Sequence, residues 1–317
     1  MITTVTLNAS IDKAYHMEKK IENGTVMRVH ECRNSAGGKG LNVARIVRLC
    51  GSKVQATGLV GGFNGQYLES LLDEDGIAHR FGHVDGETRS CINILDPGYG
   101  STEYLEPGFE VKAADMERYL EEFPEIIKDS DVVTISGSAP AGVSKDIYQK
   151  LVEIVKAEGK AVLLDTSGEL LKKGIKAHPT LIKPNQDEIE ALFGKPVTSR
   201  EDVIERAKEL HAQKIAYVVI SLGGDGALLV CDEGIYQAIP PKVDVVNTVG
   251  CGDSMVGAFA VAIEQKKTPE EALRYASAVG TANALSTNTG DFDPAVLQKI
   301  FDGTKVVNVS TDGAKIA

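Results

Sequence analysis

Four short runs in the middle of the chain, at 132–135, 161–164, 180–182 and 218–220, are apolar apart from Thr134 and Thr180 and rich in β-branched residues, with helical patterns between them. A strand with one wet face alternates apolar with polar residues, so a strand apolar at every position is covered on both faces. Strands of that kind separated by helices specify a parallel sheet wrapped by its own crossover helices. The alternation begins earlier, with predicted strands at 2–8, 53–60 and 78–83 and helices at 39–49, 66–74 and 112–128. It closes with an antiparallel pair at 226–238 and helices at 253–265, 268–285 and 293–302. Two stretches, about 11–34 and 88–106, break the rhythm. They mix polar and apolar residues around turn signals at Asn23-Gly24 and at 96–100, and read as half-exposed hairpins able to pair into a small β-lid. With no repeat, low-complexity tract or linker, residues 1–317 read as a single α/β domain. It is a doubly wound, mostly parallel sheet with helices on both faces, plus that β-lid.

A formal net charge of −11 argues against a general affinity for nucleic acid or for an anionic membrane. The longest apolar runs are too short to span a bilayer, and residues 1–7 lack the basic and apolar regions of a signal peptide. Five cysteines with no C-x-x-C pair indicate neither a disulfide framework nor a zinc site. The expectation is a cytoplasmic protein whose anionic ligands are met by local cations and backbone N–H groups.

In a doubly wound sheet, ligands bind beyond the carboxyl ends of the strands. Asp12 follows the first strand, and Ser136-Gly137-Ser138, Asp165-Thr166-Ser167, Lys183-Pro184-Asn185 and Ser221-Leu222-Gly223 follow later ones. Turn chemistry accounts for serine, glycine and asparagine there, but neither strands nor turns favour Lys183. Two glycine clusters open helices. Gly250-Cys251-Gly252-Asp253 leads into an apolar helix whose free N–H groups and positive dipole end make an anion site that glycine lets a phosphate approach. Asp253 beside it is either a proton acceptor or a favourable first-turn charge, and the stretch alone leaves both open. Gly37-Gly38-Lys39-Gly40 puts a lysine where the dipole disfavours it, a sign that a bound anion would reverse. Asn185 to Glu188 reads both as a near capping box and as an amide and carboxylate suited to hydrated Mg²⁺. Arg89, in a lid segment, has a solvated reading of its own, and His79 and His83 lie in a strand-like segment and read as structural. Neither a Walker A loop nor a G-x-G-x-x-G occurs, which argues against a dinucleotide dehydrogenase.

Together, Gly37-Gly38-Lys39-Gly40-x-Asn42-x-Ala44 and Asn247-Thr248-Val249-Gly250-Cys251-Gly252-Asp253 closely resemble the two signatures of the ribokinase-like (PfkB) sugar kinases. Lys183-Pro184-Asn185-x-x-Glu188 and Ser221-Leu222-Gly223-x-x-Gly226 resemble that family's nucleotide and magnesium motifs, in the expected order along essentially the whole chain. The resemblance implies phosphoryl transfer from ATP, with Mg²⁺, to a sugar hydroxyl. It gives Asp253 the role of base, and Gly250, Cys251 and Gly252 the N–H groups that stabilise charge on the transferring phosphoryl. Lys183 and Asn185 would serve the ATP phosphates and Glu188 the Mg²⁺, through water. Ser221, Gly223 and Gly226 would line the nucleotide, with Asn283 near the adenine. Asp12, Gly38 and Asn42 would hold sugar hydroxyls, and Lys39, Arg89 and Ser138 the phosphate already on the substrate. A homodimer formed through the β-lid is implied as well.

Asn247 stands where potassium-using members often carry aspartate, which argues against a monovalent-cation site, and Cys251 stands where many carry alanine or serine. A thiol at a helix N-terminus is expected to be acidic and open to oxidation. Within the family the chain is most similar to the branch holding 1-phosphofructokinase and tagatose-6-phosphate kinase. Residues 88–92 and 103–106 resemble the tagatose-6-phosphate kinases, whereas 108–111 and 243–246 resemble the 1-phosphofructokinases. Tagatose 6-phosphate is the first expectation, with fructose 1-phosphate and fructose 6-phosphate as alternatives. A silent sugar-phosphate sensor would be marked by loss of the base or of the glycine turn, and both are intact. A nucleoside kinase would have no use for the cations at Lys39 and Arg89.

Overall fold

A computed structural model describes residues 1–309. The first half runs β1 (Ile2–Thr6), β2 (Ser10–His16), β3 (Glu31–Gly37), α1 (Lys39–Leu49), β4 (Val54–Val60), α2 (Gly62–Glu74), β5 (Ala78–His83), β6 (Arg89–Asp96), β7 (Gly100–Leu105) and α3 (Ala113–Ile127). The second half runs β8 (Val132–Ser136), α4 (Ile147–Ala157), β9 (Ala161–Asp165), α5 (Gly168–Gly174), β10 (Leu181–Ile182), α6 (Gln186–Phe193), α7 (Arg200–His211) and β11 (Tyr217–Ser221). It ends with β12 (Ala227–Cys231), β13 (Gly234–Ile239), α8 (Cys251–Glu264), α9 (Pro269–Asn283), α10 (Pro294–Gly303) and β14 (Lys305–Asn308).

Ten strands make one sheet in the order β14-β13-β12-β11-β10-β9-β8-β1-β4-β5. The strands from β11 to β5 are parallel, and β12, β13 and β14 are antiparallel additions. The chain winds from β1 out to β4 and β5, then returns to β8 on the other side of β1 and winds the opposite way. That reversal opens a crevice at the carboxyl ends of the strands. β14, a short edge strand of four residues, carries no pattern that foretells it in the sequence.

The apolar strands alternate between two cores. Ile2, Val132, Leu163, Leu181 and Val219 pack with α1, α2, α8 and α9. Val133, Val162, Leu164, Ile182, Val218 and Ile220 pack with helices α3 to α7. Helix α8 is apolar nearly all round, and ten consecutive residues from Asp253 to Ala262 are buried, so it sits inside the fold between α1 and α9. Close packing lets it fit there: a Cβ built on Gly257 would stand 2.7 Å from Ile46 Cγ2, and one on Gly280 would stand 2.7 Å from Met255 Cγ. Both helices therefore deliver their N-termini to fixed positions. The helix starts fall slightly earlier than the periodicity predicts, at Gly62 and Cys251, because glycine-containing first turns carry no apolar signal.

The second sheet has four strands in the order β3-β2-β6-β7. Strands β2 and β3 pair antiparallel, as do β6 and β7, while β2 and β6 join the two excursions in parallel. The first excursion is not a tight hairpin: 17–30 form no strand, and the turn at Asn23-Gly24 lies inside that connection. Pairing Ser10 with both Gly37 and Arg89 brings Asp12, the Gly37–Gly38 turn and Arg89 to one end of this sheet, above α1.

No helix of the described residues is long and apolar enough to cross a membrane. If the α1–α8 contact positions the helix N-termini, Gly257→Val should destabilise the fold by about 1–3 kcal/mol through overpacking. Thermal denaturation would read that loss, and an unchanged midpoint would show that α1 yields without cost.

Candidate active site

Helix α1 starts after Gly38 at φ 105°, and α8 after Gly250 at φ 81°, conformations that side chains other than glycine rarely adopt. Both N-termini border one cleft of about 1600 Å³. Asp12, Gly38, Lys39, Asn42, Arg89, Lys183, Asn185, Glu188, Ser221, Gly250, Gly252 and Asp253 all line it. Residues far apart in sequence are thus brought together in one cleft.

Two carboxylates and two lysines form its centre. Asp253 is buried and accepts a hydrogen bond from Asn42 Nδ2 at 2.7 Å, which ties the first turn of α8 to the first turn of α1. Asp165, at the end of β9, is also buried and lies 3.3 Å from Lys183 Nζ and 3.5 Å from Lys39 Nζ. The two acids respond oppositely. Burial pushes the Asp253 carboxyl above the usual carboxylate range, and Asp165 adds to the rise; Lys39, the Asn42 hydrogen bond and Lys183 only partly oppose it. Burial acts on Asp165 too, but the two lysines outweigh it and hold the group below that range. Lys39 is held firmly cationic, chiefly by Asp165, although 46% of its side chain is exposed. Lys183 packs against the backbone of α8, where a Cβ on Gly252 would stand 3.1 Å from its Nζ.

At the end of the four-stranded sheet nearest α1, Asp12 accepts from Ser10 Oγ at 2.7 Å. Gly37 is a glycine for steric reasons, since a Cβ there would fall 2.0 Å from Asp12 Oδ1. Arg89 donates to the carbonyls of Asn8 at 3.1 Å and Glu106 at 3.3 Å, and its Nε is buried without a hydrogen-bond partner. A buried, unpartnered guanidinium N–H is costly, and an anion would relieve it.

Asn185 caps α6 and forms a complete capping box with Glu188: Glu188 N donates to Asn185 Oδ1 at 2.8 Å and Asn185 N to Glu188 Oε2 at 2.9 Å. The structural reading of that motif therefore holds, and both residues still face the cleft. Among the described residues, no group of three or more His, Cys, Asp or Glu is placed to hold a metal ion. Mg²⁺ bound with nucleotide phosphates needs only one or two carboxylates beside its waters, so a cleft offering Glu188 fits it.

Asn283, Ser138, Gly223, Gly226 and Cys251 are not among the residues that line the cleft. Asn283 is fully buried, donates to Val249 O at 3.1 Å and accepts from Ser254 Oγ, Gly290 N and Asp291 N. It fastens the turn before α8 to the 289–291 loop. Ser138 points toward Asn8, whose Nδ2 donates to it at 3.2 Å. Gly223 and Gly226 shape the turn after β11, and a Cβ on Gly226 would fall 2.0 Å from Ala238 O of β13. Cys251 corrects the expectation of an acidic thiol. Burial pushes it above the ordinary cysteine value, outweighing the Asn283 amide 3.4 Å away. Asn247 Oδ1 accepts from Val249 N at 2.9 Å within its own loop. His79 and His83 lie on β5 and face Glu69 and Asp73 of α2, away from the cleft.

Two residues of the site were not singled out from the sequence. Asp165 is visible there only as one more polar residue after a strand, and its meeting with Lys39 and Lys183 is tertiary. Arg45 follows Asn42 by three residues, one helical turn, and that spacing was the available signal. Its Nη2 donates to Asn42 Oδ1 at 2.5 Å and its Nη1 to Ala36 O at 2.5 Å.

A doubly wound sheet, a small second sheet and a buried aspartate at a glycine-opened helix fit a carbohydrate kinase, a phosphotransferase with a sugar as acceptor, and the family match establishes that class. Residues 5–295 match the pfkB family of carbohydrate kinases, and the chain belongs to that family. It is similar to Escherichia coli phosphofructokinase-2 in complex with potassium, at 32% identity, covering 95% of this chain and 98% of that one, with a TM-score of 0.88. The same enzyme in complex with fructose-6-phosphate matches at 31% identity and the same coverage, with a TM-score of 0.86. A Thermotoga maritima protein described as a possible 1-phosphofructokinase matches at 26% identity, covering 98% of this chain and 99% of that one, with a TM-score of 0.88.

The raised Asp253 carboxyl has a consequence for stability. Its folded value lies above its unfolded one of about 3.9, so stability falls as pH rises through that window and stays lower above it. Asp253→Asn removes this loss. The variant should melt at a higher temperature than wild type at pH 7, the gap closing as pH drops through the window. An equal or lower midpoint at pH 7 would contradict the raised value.

Proposed function

We propose that the protein is an ATP-dependent kinase of a ketohexose monophosphate. The observation that carries this reading is Asp253, buried at a helix N-terminus beside Lys39 and Lys183 in a cleft that Asp12 and Arg89 also line. Asp253 accepts the proton of the substrate hydroxyl as that oxygen bonds to the γ-phosphorus of ATP. The bond from that phosphorus to the β,γ-bridging oxygen breaks, and ADP leaves. A base with a raised value is better matched to neutral pH than an ordinary aspartate. The N–H groups of Gly250, Cys251 and Gly252 meet the charge on the transferring phosphoryl, and Lys183 and Lys39 hold it in line. Mg²⁺, held by Glu188 through water, would supply further charge neutralisation at the ATP phosphates. Ser221 is assigned to the nucleotide side, on the turn that Gly223 and Gly226 shape, while Asp12, Gly38 and Asn42 orient the sugar. The buried Nε of Arg89 supports its role with the phosphate already on the sugar, together with Lys39 and Ser138.

Tagatose 6-phosphate is the substrate read from residues 88–92 and 103–106. Fructose 6-phosphate is the second reading, favoured by the 31% identical relative that binds it. A coupled ADP-release assay with MgATP compares these two with fructose 1-phosphate and unphosphorylated fructose by kcat/KM. The expected result is a preference for one phosphorylated ketohexose, lost by about 10²–10⁴-fold in kcat when Asp253 becomes Asn. Turnover of none, or an unaffected variant, would overturn the reading.

We further propose one domain, with the four-stranded sheet as its lid and as the contact with a second copy. That sheet and its connection leave Val26, Tyr99, Tyr104 and Leu105 well exposed, from 59% to 94%. Light scattering should give a dimer that Leu105→Glu weakens, and a monomer in wild type would refute the contact.

A further inference from the structure

Asn42 is buried with both ends of its amide engaged: Oδ1 accepts from Arg45 Nη2 at 2.5 Å, and Nδ2 donates to Asp253 Oδ2 at 2.7 Å. The two ends of an amide have nearly the same shape, so packing alone does not decide which one faces the carboxylate. The reversed amide would set a carbonyl oxygen against Asp253. Arg45 carries only donors, so it can bind only the oxygen end. Its other arm is fixed to Ala36 O at 2.5 Å, at the end of β3 just before the Gly37–Gly38 turn. The guanidinium is thus held at one end by the lid sheet and holds Asn42 with the other.

We infer that Arg45 is a positioning residue for the reaction, locking the Asn42 amide so that it donates to Asp253 and turns the free edge of that carboxylate toward the substrate hydroxyl. This deepens the kinase reading and rests on it for its effect on turnover. It requires Arg45 to be charged, and a guanidinium remains so at neutral pH even though burial lowers its value. Asp75, Asp12, Asp253 and Asp291 surround it, and a cation there offsets their mutual repulsion. Asp253 in turn faces Lys39 and Arg45 of α1, Lys183 after β10 and Asp165 of β9. Removing Arg45 leaves Lys39 and Lys183 in place; besides freeing the amide it withdraws a charge from Asp12, Asp75 and Asp291 and a donor from Ala36 O.

The test compares Arg45→Met and Arg45→Lys with wild type and Asp253→Asn. Arg45→Met should lower kcat on the order of 10²-fold with little change in KM for ATP, since a misaligned base costs the step and not nucleotide binding. The acid limb of its kcat–pH profile should move up by about one unit, because the carboxylate loses a cation and an assured donor. Arg45→Lys keeps the charge but cannot reach both Ala36 O and Asn42 Oδ1, so it should fall between the two. A carbon-13 NMR titration of the aspartate carboxyls, with Asp253 assigned by its absence in Asp253→Asn, reads the same shift without substrate. An upward shift in either Arg45 variant supports the proposal even if wild type phosphorylates no ketohexose phosphate, in which case only the substrate reading fails. An active wild type, with titration and acid limb unmoved in the Arg45 variants, overturns it and leaves the kinase standing. If Arg45→Met does not fold, Arg45→Lys is judged by the same two readouts.

Discussion

The hydrogen bond from Asn42 to Asp253 joins the first turns of two buried helices, and the rest of the site depends on what that juxtaposition costs. Each N-terminus carries a partial positive charge, so bringing two together is unfavourable unless negative charge lies between them. Asp253 supplies some of it, and Asp165 more. Lys39 and Lys183 then pair with Asp165, which would otherwise be a buried carboxylate without compensation. The two lysines balance the two carboxylates, and the cleft adds the N-terminal turns of both helices, whose N–H groups favour an anion.

Holding these groups in register is the task of the packing behind them. Helix α8 cannot slide, because it is buried on nearly every side and meets α1 at Gly257 and α9 at Gly280 with no spare room. Its leading turn is fastened by Asn283, whose amide engages both the turn at Val249 and the loop at Gly290. The N–H groups that would face a transferring phosphoryl are therefore set before any ligand arrives, and a preorganised donor loses nothing to reorganisation.

Much of this was legible in the sequence, for identifiable reasons. Continuous apolar strands at 132–135 and 161–164 reveal a sheet covered on both faces because each alternate residue feeds a different core. The glycine turns at 37–40 and 250–252 are visible because backbone constraint is local and glycine answers it. What stayed hidden is what depends on distant partners. Asp165 after a strand looks like any turn residue until Lys39 and Lys183 arrive from other elements. The parallel pairing of β2 with β6 joins segments some eighty residues apart with no local signal. Asn283 is read from the resemblance and Cys251 from its place at a helix start, whereas their surroundings in the structure are set by burial. For Cys251, desolvation acts against the thiolate more strongly than the Asn283 amide favours it.

The opposite behaviour of the two buried aspartates follows from the same rule and explains a division of labour. Both lose water, which favours the neutral acid. Asp165 has two ammonium groups against it, so it stays ionised and serves as an anchor for the cations. Asp253 has one neutral amide donor, more distant cations and the charge of Asp165 nearby, so its proton affinity rises. When environments drive two carboxyls apart in this way, the one with the raised value is the better suited of the two to exchange a proton. An exchange of roles would need Lys39 and Lys183 to leave Asp165, and the packing of Lys183 against Gly252 holds that lysine where it is. The proposal that Asp253 is the base therefore rests on the positions of the lysines as much as on its own place on α8.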